Sequence, residues 1–309
     1  MNTDYSLNKE AILLDHLDGL SLRRLAAKYN ISKSKCQRIC FEELKKLPDN
    51  NQFSIENNIN FGTVLMPDAK YINVKGHKDK LAFLWAVDYF KHDFPIISLE
   101  QSESFEAWNS FFKKYEGIGN HYPVIVCDDN IALKLAAIKN FPATHIQTCF
   151  NHLKENYRRI LKVRSQAKYR HFMLLIESIL SSENISKKEF NRRLRHMFDL
   201  YHHDVLALSI LADIKRKEKE LHAHRLIKHT PKTTNLIESF NSQLEARLVS
   251  IRSFQSYEHA RLWLNGYVLK RRFTKFTDCK GKFKNLNGKK PVEITLREDR
   301  VLTPIFKKI

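Results

Sequence analysis

Glycine and proline are scarce in this 309-residue chain, with eight of each, and this scarcity excludes collagen-like and low-complexity classes. No run of 18 apolar residues occurs, so the sequence predicts no membrane-spanning helix. The five cysteines are an odd number and lie far apart, unlike the dense framework of a disulfide-rich secreted domain. The first twenty positions contain four acidic residues and are not typical of a secretory signal. We therefore expect a cytoplasmic protein with reduced thiols.

Acidic residues are outnumbered by basic ones, 34 against 53, which gives a formal net charge of +19 and a pI near 9.6. A surface of this charge attracts polyanions, of which nucleic acid is the commonest. The alternative is a soluble basic protein without a nucleic-acid partner. Apolar residues make up 43% of the chain and aromatic residues 11%, which is enough for a packed core and excludes wholesale disorder.

The first 47 residues are predicted to form an all-α helix-turn-helix domain. Ser21 and Ser32 are N-cap candidates for two short helices, and Asn30 between them tolerates the left-handed conformation of a turn. Six basic residues and no acidic residue lie between Ser21 and Ile39. The alternative is an ordinary helical hairpin with a solvated basic face. The residues predicted to contact DNA are Arg23, Arg24, Lys33, Ser34, Lys35, Gln37 and Arg38.

Residues 48–60 are rich in asparagine and poor in apolar periodicity, which indicates a linker. From Phe61 the period becomes that of strands, and three β-rich runs separated by turn-forming residues indicate a meander. Residues 123–127 (PVIVC) form a short apolar run of the kind found at a sheet centre. Strands and helices then alternate as far as residue 161. The pattern of 61–161 predicts an α/β fold with a mixed sheet.

Residues 162–229 lose strand character and are predicted to form a helical insertion. Residues 230–309 would complete the core with further helices and end in a basic tail. The last forty positions hold 13 basic and 4 acidic residues, which is nearly half of the total charge excess. Within this tail, 291–296 (PVEITL) is predicted to form one late strand.

Three carboxylates stand out by their local setting. Asp68 lies in an apolar strand, Asp128 follows the apolar run that ends at Cys127, and Glu238 borders the buried stripe of an amphipathic helix. Taken singly, the aspartates are typical of turns or helix caps, and the glutamate is typical of a solvated helix face. Together they offer hard oxygen ligands from three separate elements, as Mg²⁺ or Mn²⁺ requires. Two such ions can support phosphodiester cleavage.

Four stretches of the sequence resemble a known family. They are MPDAKYINVKG (66–76), PVIVCDDN (123–130), QTCFNHLKENYRR (147–159) and TTNLIESFNSQLEARL (233–248). In content and order they are similar to the motifs of DDE-type transposases, which have a ribonuclease H-like core, and they are close to the Mutator-like lineage of insertion-sequence transposases. The resemblance spans roughly residues 60–275. It implies a ribonuclease H-like mixed sheet interrupted by a helical insertion.

The resemblance implies that Asp68, Asp128 and Glu238 are the catalytic residues and the ligands of Mg²⁺ or Mn²⁺. Asp129 stands where a small residue is expected after the second aspartate. The choice between Asp128 and Asp129 as second ligand therefore stays open, with Asp128 favoured because it follows the apolar strand directly.

The resemblance also implies residues that support the active site. Cys149 and His152 form a Cys-x-x-His block, and Asn235 and Asn241 flank the catalytic glutamate. A structural zinc site needs four ligands, and no second pair of matching spacing follows, so such a site is disfavoured. The alternative for the Cys-x-x-His block is a plain packing role.

The function implied by the resemblance is that of a DNA transposase, which cleaves at the ends of its element and transfers the strands into target DNA. Its partners would be double-stranded DNA, as terminal repeats and target, and further copies of the chain in a homodimer or higher oligomer. A nucleoid-associated protein in the cytoplasm of a prokaryotic host is expected. Two alternatives remain: a non-catalytic, sequence-specific DNA-binding protein derived from a transposase, and a ribonuclease H-like nuclease without strand transfer.

Overall fold

A computed structural model describes the chain over most of its length. Three N-terminal helices, α1 (Lys9–Leu17), α2 (Leu22–Tyr29) and α3 (Lys33–Lys46), pack around one small apolar core. Within the described ranges, no helix is both long and apolar enough to span a bilayer. The described residues are 8–57, 60–119, 121–181, 185–297, 300–302 and 304–307.

The turn between α2 and α3 follows from its capping residues. The Ser21 hydroxyl accepts a hydrogen bond from the Arg24 amide, and the Ser32 hydroxyl accepts one from the Lys35 amide. Asn30 ends α2 in the left-handed region at φ 49°, which asparagine adopts more readily than most residues. The local sequence therefore fixes both helix starts and the turn between them, as predicted. The buried members of the small core are Ile12, Leu25, Cys36, Ile39 and Cys40.

The segment expected to be a linker differs from that expectation, because it contains helix α4 (Asn50–Glu56). Asn50 and Ser54 on this helix are fully buried, and each donates a hydrogen bond to the Pro95 carbonyl. The fully buried Arg272 guanidinium donates to the same two side chains. Because polar bonds rather than an apolar stripe hold α4 in place, its sequence resembles that of a solvated linker.

A five-stranded mixed sheet forms the centre of the protein, in the order β3-β2-β1-β4-β5. The first three strands are antiparallel neighbours, which confirms the predicted meander, and the last two run parallel to β1. The mixed α/β fold is therefore confirmed. The strands are β1 (Val64–Ile72), β2 (Leu81–Asp88), β3 (Ile97–Glu100), β4 (Val124–Cys127) and β5 (His145–Thr148).

The two faces of the sheet are covered by different helix pairs. In β2 the large side chains Phe83 and Trp85 belong to the core beneath α12 (Asn235–Leu248) and α13 (Tyr257–Phe273). The small side chains that alternate with them belong to the opposite core, beneath α5 (Phe105–Lys113) and α6 (Ile131–Asn140). This alternation has the period of two expected for a strand that is buried on both faces.

The region after β5 is helical, as predicted, and has its own apolar core. It connects to the sheet through α7, which follows β5 directly, and returns to the sheet at α12. Its interior is lined by buried aromatic and aliphatic residues such as Phe172, Ile176 and Leu211. Its helices are α7 (Phe150–Ile160), α8 (Arg170–Ser181), α9 (Lys187–Leu200), α10 (Val205–Arg216) and α11 (Glu218–His222).

The prediction of a late strand at 291–296 is wrong, because these residues contain a short helix, α14 (Pro291–Thr295). Pro291 occupies the first turn, where a missing N–H costs nothing. The Glu293 carboxylate accepts a hydrogen bond from the Lys290 amide, and the buried Thr295 hydroxyl donates to Asp93. The alternation of apolar and polar residues in a run this short does not distinguish a strand from one and a half helical turns.

Candidate active site

Asp68 lies in β1 and faces α12. Its Oδ2 accepts a hydrogen bond of 2.6 Å from the Asn241 amide, and its Oδ1 accepts one of 2.8 Å from the Ala69 amide. Asn241 is itself oriented by Trp85 on the neighbouring strand, whose indole N–H donates to the amide oxygen at 3.0 Å. The chain Trp85–Asn241–Asp68 therefore fixes the direction of the Asp68 carboxylate and joins α12 to the sheet.

Asp128 follows β4, the parallel neighbour of β1. The register pairs Val64 with Val124, and both aspartates lie four residues beyond these partners. The pairing ends at Leu65 with Ile125; beyond it Asp68 continues β1 and Asp128 follows the end of β4, and the negative charge of Asp128 acts on the Asp68 carboxylate. Both side chains are partly buried. The sheet thus brings together two of the three predicted catalytic carboxylates.

The electrostatics of Asp68 reflect this crowding of negative charge. Burial is the largest cause that raises its pKa, to about 7, and the negative charges of Asp128 and Glu103 raise it further. The hydrogen bond from the Ala69 amide and the charge of His152 act in the opposite direction. Among the described residues, no lysine or arginine nitrogen lies within 4.0 Å of the Asp68 or Asp128 carboxylate. Two carboxylates that pair with no lysine or arginine of the described residues, in a chain of net charge +19, form a site suited to a bound cation.

Asp129 has a different environment from Asp128. Its two oxygens pair with Lys134, at 2.5 Å, and with Lys217, and both lysine side chains are nearly buried. Lys217 also pairs with Asp213 on α10, and Lys134 with Glu220 on α11. Asp129 is therefore neutralised within an ion-pair network that connects the end of β4 to the helical region. Of the two adjacent aspartates, Asp128 is the one without a lysine or arginine partner among the described residues.

Glu238 lies in the first turn of α12 and faces the start of α7. Its Oε1 accepts a hydrogen bond of 2.6 Å from the Thr234 hydroxyl and lies 3.9 Å from His152 Nε2. In the described part of the chain, Cys149, His152 and Glu238 form the group whose ligand atoms all lie within 4.8 Å of one another. The trio Asp68, Asp128 and Glu238 does not meet that criterion. Glu238 is therefore grouped with Cys149 and His152, and His152 is the residue whose pKa the charges of both Glu238 and Asp128 raise.

The Cys-x-x-His pair lies where α7 and α12 begin. Cys149 is the N-cap of α7 and Thr234 the N-cap of α12, and neither side chain caps its own helix. The Thr234 amide donates to the Cys149 sulfur at 3.4 Å, and the Thr234 hydroxyl oxygen, whose one proton is directed to Glu238, lies 3.1 Å from the same sulfur. The hydrogen bond with Cys149 is the largest cause that raises the pKa of His152, to about 9. Burial opposes this rise, and the charges of Glu238 and Asp128 contribute to it.

Several residues of this region were not predicted from the sequence. The Thr234 hydroxyl contacts Glu238, Cys149 and His152. Glu103 accepts a hydrogen bond of 2.9 Å from Asn130, two residues after Asp128. Thr234 could have been found as an N-cap four residues before Glu238, whereas Glu103 lies in an irregular segment that carries no sequence signal.

The two predicted supporting asparagines have different surroundings. Asn241 bonds Asp68 directly, as described above. Asn235 instead accepts a hydrogen bond of 3.0 Å from Asn151 on α7. This hydrogen bond joins the starts of α7 and α12. It does not involve a predicted catalytic carboxylate.

The predicted DNA-contacting residues all lie on the exposed surface of the N-terminal helices. Their one ion pair in the described part of the chain joins Arg38 to Glu42, at 3.9 Å. The remaining positive charges of this surface face solvent. The set comprises Arg23, Arg24, Lys33, Ser34, Lys35, Gln37 and Arg38.

Comparison with known proteins gives structural likenesses and one family match. No curated protein matches the chain. Solved structures similar to it include the catalytic core domain of HTLV-2 integrase, in complex with magnesium and in a trimeric form. That likeness has 16% sequence identity, covers 45% of this chain and 86% of the integrase chain, and has a TM-score of 0.24. A TM-score this low carries no argument about this chain.

The sequence profile of the family described as "Transposase, Mutator family" matches residues 16–272. This range includes the N-terminal helices from the end of α1, the whole sheet and the helices α12 and α13. It also contains every residue named above as a candidate for catalysis, support or DNA contact. The chain therefore belongs to the Mutator family of transposases.

Proposed function

We propose that this chain is a DDE-type DNA transposase with a ribonuclease H-like catalytic core. The observation that carries the proposal is the pair Asp68 and Asp128: Asp68 lies in β1, Asp128 directly follows its parallel neighbour β4, their charges interact, and neither has a lysine or arginine partner in the described part of the chain. In a chain of this family, such a pair fits the cleavage of phosphodiesters at element ends and their transfer into target DNA.

The residues of the site fit a divalent cation such as Mg²⁺ or Mn²⁺. Asp68 and Asp128 offer hard oxygen ligands in a partly buried position, and repulsion between them would be relieved by a bound cation. Glu238 is proposed as the third ligand, supplied by α12. When bound, the ions would polarise the attacking hydroxyl and stabilise the leaving oxygen of the phosphodiester.

The surrounding residues would hold this machinery in place. Asn241 orients the Asp68 carboxylate, and the ion pairs of Asp129 fix the loop that carries Asp128. His152 carries a raised pKa, so it is cationic at neutral pH and suited to contact a DNA phosphate beside Glu238. A first attack by water would release a 3′-hydroxyl, and that hydroxyl would then attack the target strand. Positioning and electrostatic stabilisation supply most of the rate in phosphoryl transfer.

We propose that different parts of the chain carry out DNA recognition and catalysis. Residues 1–47 would form the helix-turn-helix domain that binds terminal repeats. Residues 61–161 and 230–309 would form the two parts of the core, with 162–229 as a helical insertion. Strand transfer at two element ends implies assembly as a homodimer or higher oligomer on DNA.

The N-terminal helices provide a test of the DNA-binding role. Arg38→Ala is expected to cost about 1–3 kcal/mol of specific binding, because an exposed arginine on the second helix of such a motif contacts base edges. Binding of the wild type should also fall by about 10³–10⁵ between 50 and 200 mM salt if 6–10 phosphates are contacted. Fluorescence anisotropy with terminal-repeat DNA measures both effects.

Lys46→Ala is the matched control for Arg38→Ala, since Lys46 is exposed at the far end of α3 and already pairs with Glu43 at 2.6 Å. It should leave specific binding within about twofold of the wild-type value. Equal losses in the two variants, or a flat salt titration, would contradict a recognition role for α3.

The proposed function is tested with purified protein, Mg²⁺ and DNA that carries the ends of the element encoding the chain. We expect nicks at the element ends and joined products with target DNA, and loss of both with Asp128→Asn. Glu189→Gln is the control, because Glu189 is an acid of the helical region that pairs with Arg192 and Arg193, and its loss should leave activity intact. Binding without nicking would support a non-catalytic DNA-binding protein, and nicking without joining would support a nuclease.

A further inference from the structure

Three side chains of different chemistry converge on one small volume beside the carboxylate pair. The Thr234 hydroxyl oxygen lies 2.6 Å from Glu238 Oε1, 3.1 Å from Cys149 Sγ and 3.4 Å from His152 Nδ1. A single atom is thus within hydrogen-bonding distance of a carboxylate, a thiol and an imidazole. These three groups come from two helix starts that meet at the edge of the sheet.

The chemistry of this group differs from that of the carboxylate pair. Sulfur and nitrogen ligands suit Zn²⁺ and are poor ligands for Mg²⁺ or Mn²⁺. Three protein ligands with a fourth, open position are the arrangement of an exchangeable zinc site rather than a closed structural one. Cys149 would bind zinc as the thiolate, so its proton is displaced when the ion binds.

The ligand atoms can close around an ion with small movements. They lie within 4.8 Å of one another, whereas zinc bonds of about 2.0–2.3 Å set tetrahedral ligand atoms about 3.3–3.8 Å apart. Cys149 is fully buried and offers a fixed anchor. The side chains of His152 and Glu238 are 41% and 40% exposed and therefore have room to turn toward it.

We propose that Cys149, His152 and Glu238 bind Zn²⁺, with a water molecule or a DNA phosphate in the fourth position. The ion displaces the proton that His152 carries in the metal-free protein, because imidazole binds a metal in its neutral form. Zinc at this site would hold Glu238 away from Asp68 and Asp128 and so inhibit cleavage. The claim that these residues bind zinc is based on their geometry. The claim that zinc inhibits cleavage rests on the proposed function. Zinc would thereby act as an inhibitor that shares one ligand with the catalytic site.

Cobalt titration of the reduced full chain tests the binding directly. Co²⁺ is the probe, in Mg²⁺-free buffer with a phosphine reductant, because a cobalt–thiolate bond absorbs in the near ultraviolet. We expect one Co²⁺ per chain, a thiolate charge-transfer band, and loss of that band when Zn²⁺ displaces the cobalt. Cys149→Ser should abolish the band, whereas Cys279→Ser, which removes the partly exposed thiol of the tail, should retain it. A chain that binds no stoichiometric Co²⁺, or a band that depends on Cys279, overturns the proposal.

A second pair of variants covers the case in which the buried Cys149→Ser unfolds the chain. His152→Asn and Glu238→Gln change partly exposed side chains, and each should weaken Zn²⁺ binding by at least about tenfold in calorimetry, as loss of even an outer-shell partner can do. Circular dichroism confirms that they are folded. Unchanged zinc affinity in both variants contradicts the ligand assignment.

The inhibitory consequence is measured separately by nicking in Mg²⁺ with and without added Zn²⁺. Zinc at concentrations that saturate the cobalt-defined site should abolish nicking. Zinc binding without loss of nicking overturns the inhibitory role. A chain that binds zinc but never nicks DNA in Mg²⁺ refutes the proposed function and leaves the binding site standing.

Discussion

Asp68→Asn is expected to abolish Mg²⁺-dependent cleavage while leaving the metal-free protein as stable as the wild type or more stable. The Asp68 carboxylate is partly buried beside the negative charges of Asp128 and Glu103, and within the described part of the chain no lysine or arginine pairs with it, so the charge of His152 offsets them only in part. Removing one charge relieves this repulsion, and this gain offsets the loss of one of the two hydrogen bonds that the carboxylate accepts from Ala69 and Asn241, so folding gains or is unchanged. Catalysis should fall by about 10²–10³-fold or more, as it does when one preorganised electrostatic group is lost.

The measurement combines thermal unfolding in EDTA with a cleavage assay in Mg²⁺. The wild type should show a higher melting temperature when Mg²⁺ is added, because a ligand that binds the folded state stabilises it. The Asp68→Asn variant should show little of this rise. A variant that melts well below the wild type in EDTA would instead identify Asp68 as a structural acid.

Asp88 offers a matched control on the neighbouring strand. It too is a buried aspartate whose pKa is raised, to about 6, with burial as the largest cause. Its carboxylate, however, accepts backbone hydrogen bonds from Gly62, Phe90 and Lys91 and so closes the turn after β2. Asp88→Asn should therefore cost about 1–3 kcal/mol of stability and leave the activity of the folded fraction intact. The two aspartates should thus show opposite patterns of stability and activity.

Local sequence patterns account for much of the fold. Ser21, Asn30 and Ser32 specify two helix starts and a turn through bonds that each residue makes within three or four positions of itself. The meander and the central strand could be predicted because alternation and apolar runs are also local properties. Asp68 and Asp128 could be singled out for the same reason, since their positions relative to the strands are readable from the chain.

What could not be predicted depends on contacts between distant residues. Nothing near Asp129 in the sequence indicates that Lys217, 88 positions later, pairs with it, while Asp128 pairs with no lysine or arginine of the described residues. The convergence of Thr234 on Cys149 and His152 likewise joins segments more than eighty positions apart. Helix α4 was expected to be a linker because its partners are polar groups from β-strand connections and α13. The structure therefore shows two things that the sequence does not: which charged groups pair, and which polar groups are buried.

Arg272→Met is expected to destabilise the protein by about 3–5 kcal/mol, the largest effect on stability that this structure predicts. Arg272 and Asp93 are both fully buried and form a two-bond pair, at 2.8 and 2.9 Å. The same guanidinium donates to Asn50 and Ser54 on α4, and Asp93 accepts from Thr295 on α14. One arginine thus joins α4, the β2–β3 connection, α13 and α14, and its loss would leave a buried negative charge without a partner.

Urea unfolding followed by circular dichroism measures this loss, and two further variants identify its cause. Arg261→Met on the same helix removes an arginine that is 49% exposed and lies 3.8 Å from Asp49, so it should cost at most about 1 kcal/mol. Adding Asp93→Asn to Arg272→Met should recover part of the stability, because the uncompensated charge is then removed while the acceptor for the Phe94 amide is kept. If the double variant were no more stable than Arg272→Met, the loss of stability would come from lost packing and hydrogen bonds. The uncompensated charge of Asp93 would then not be its cause. If Arg272→Met cost no more than Arg261→Met, the buried pair would not hold α4 and α14 to the core.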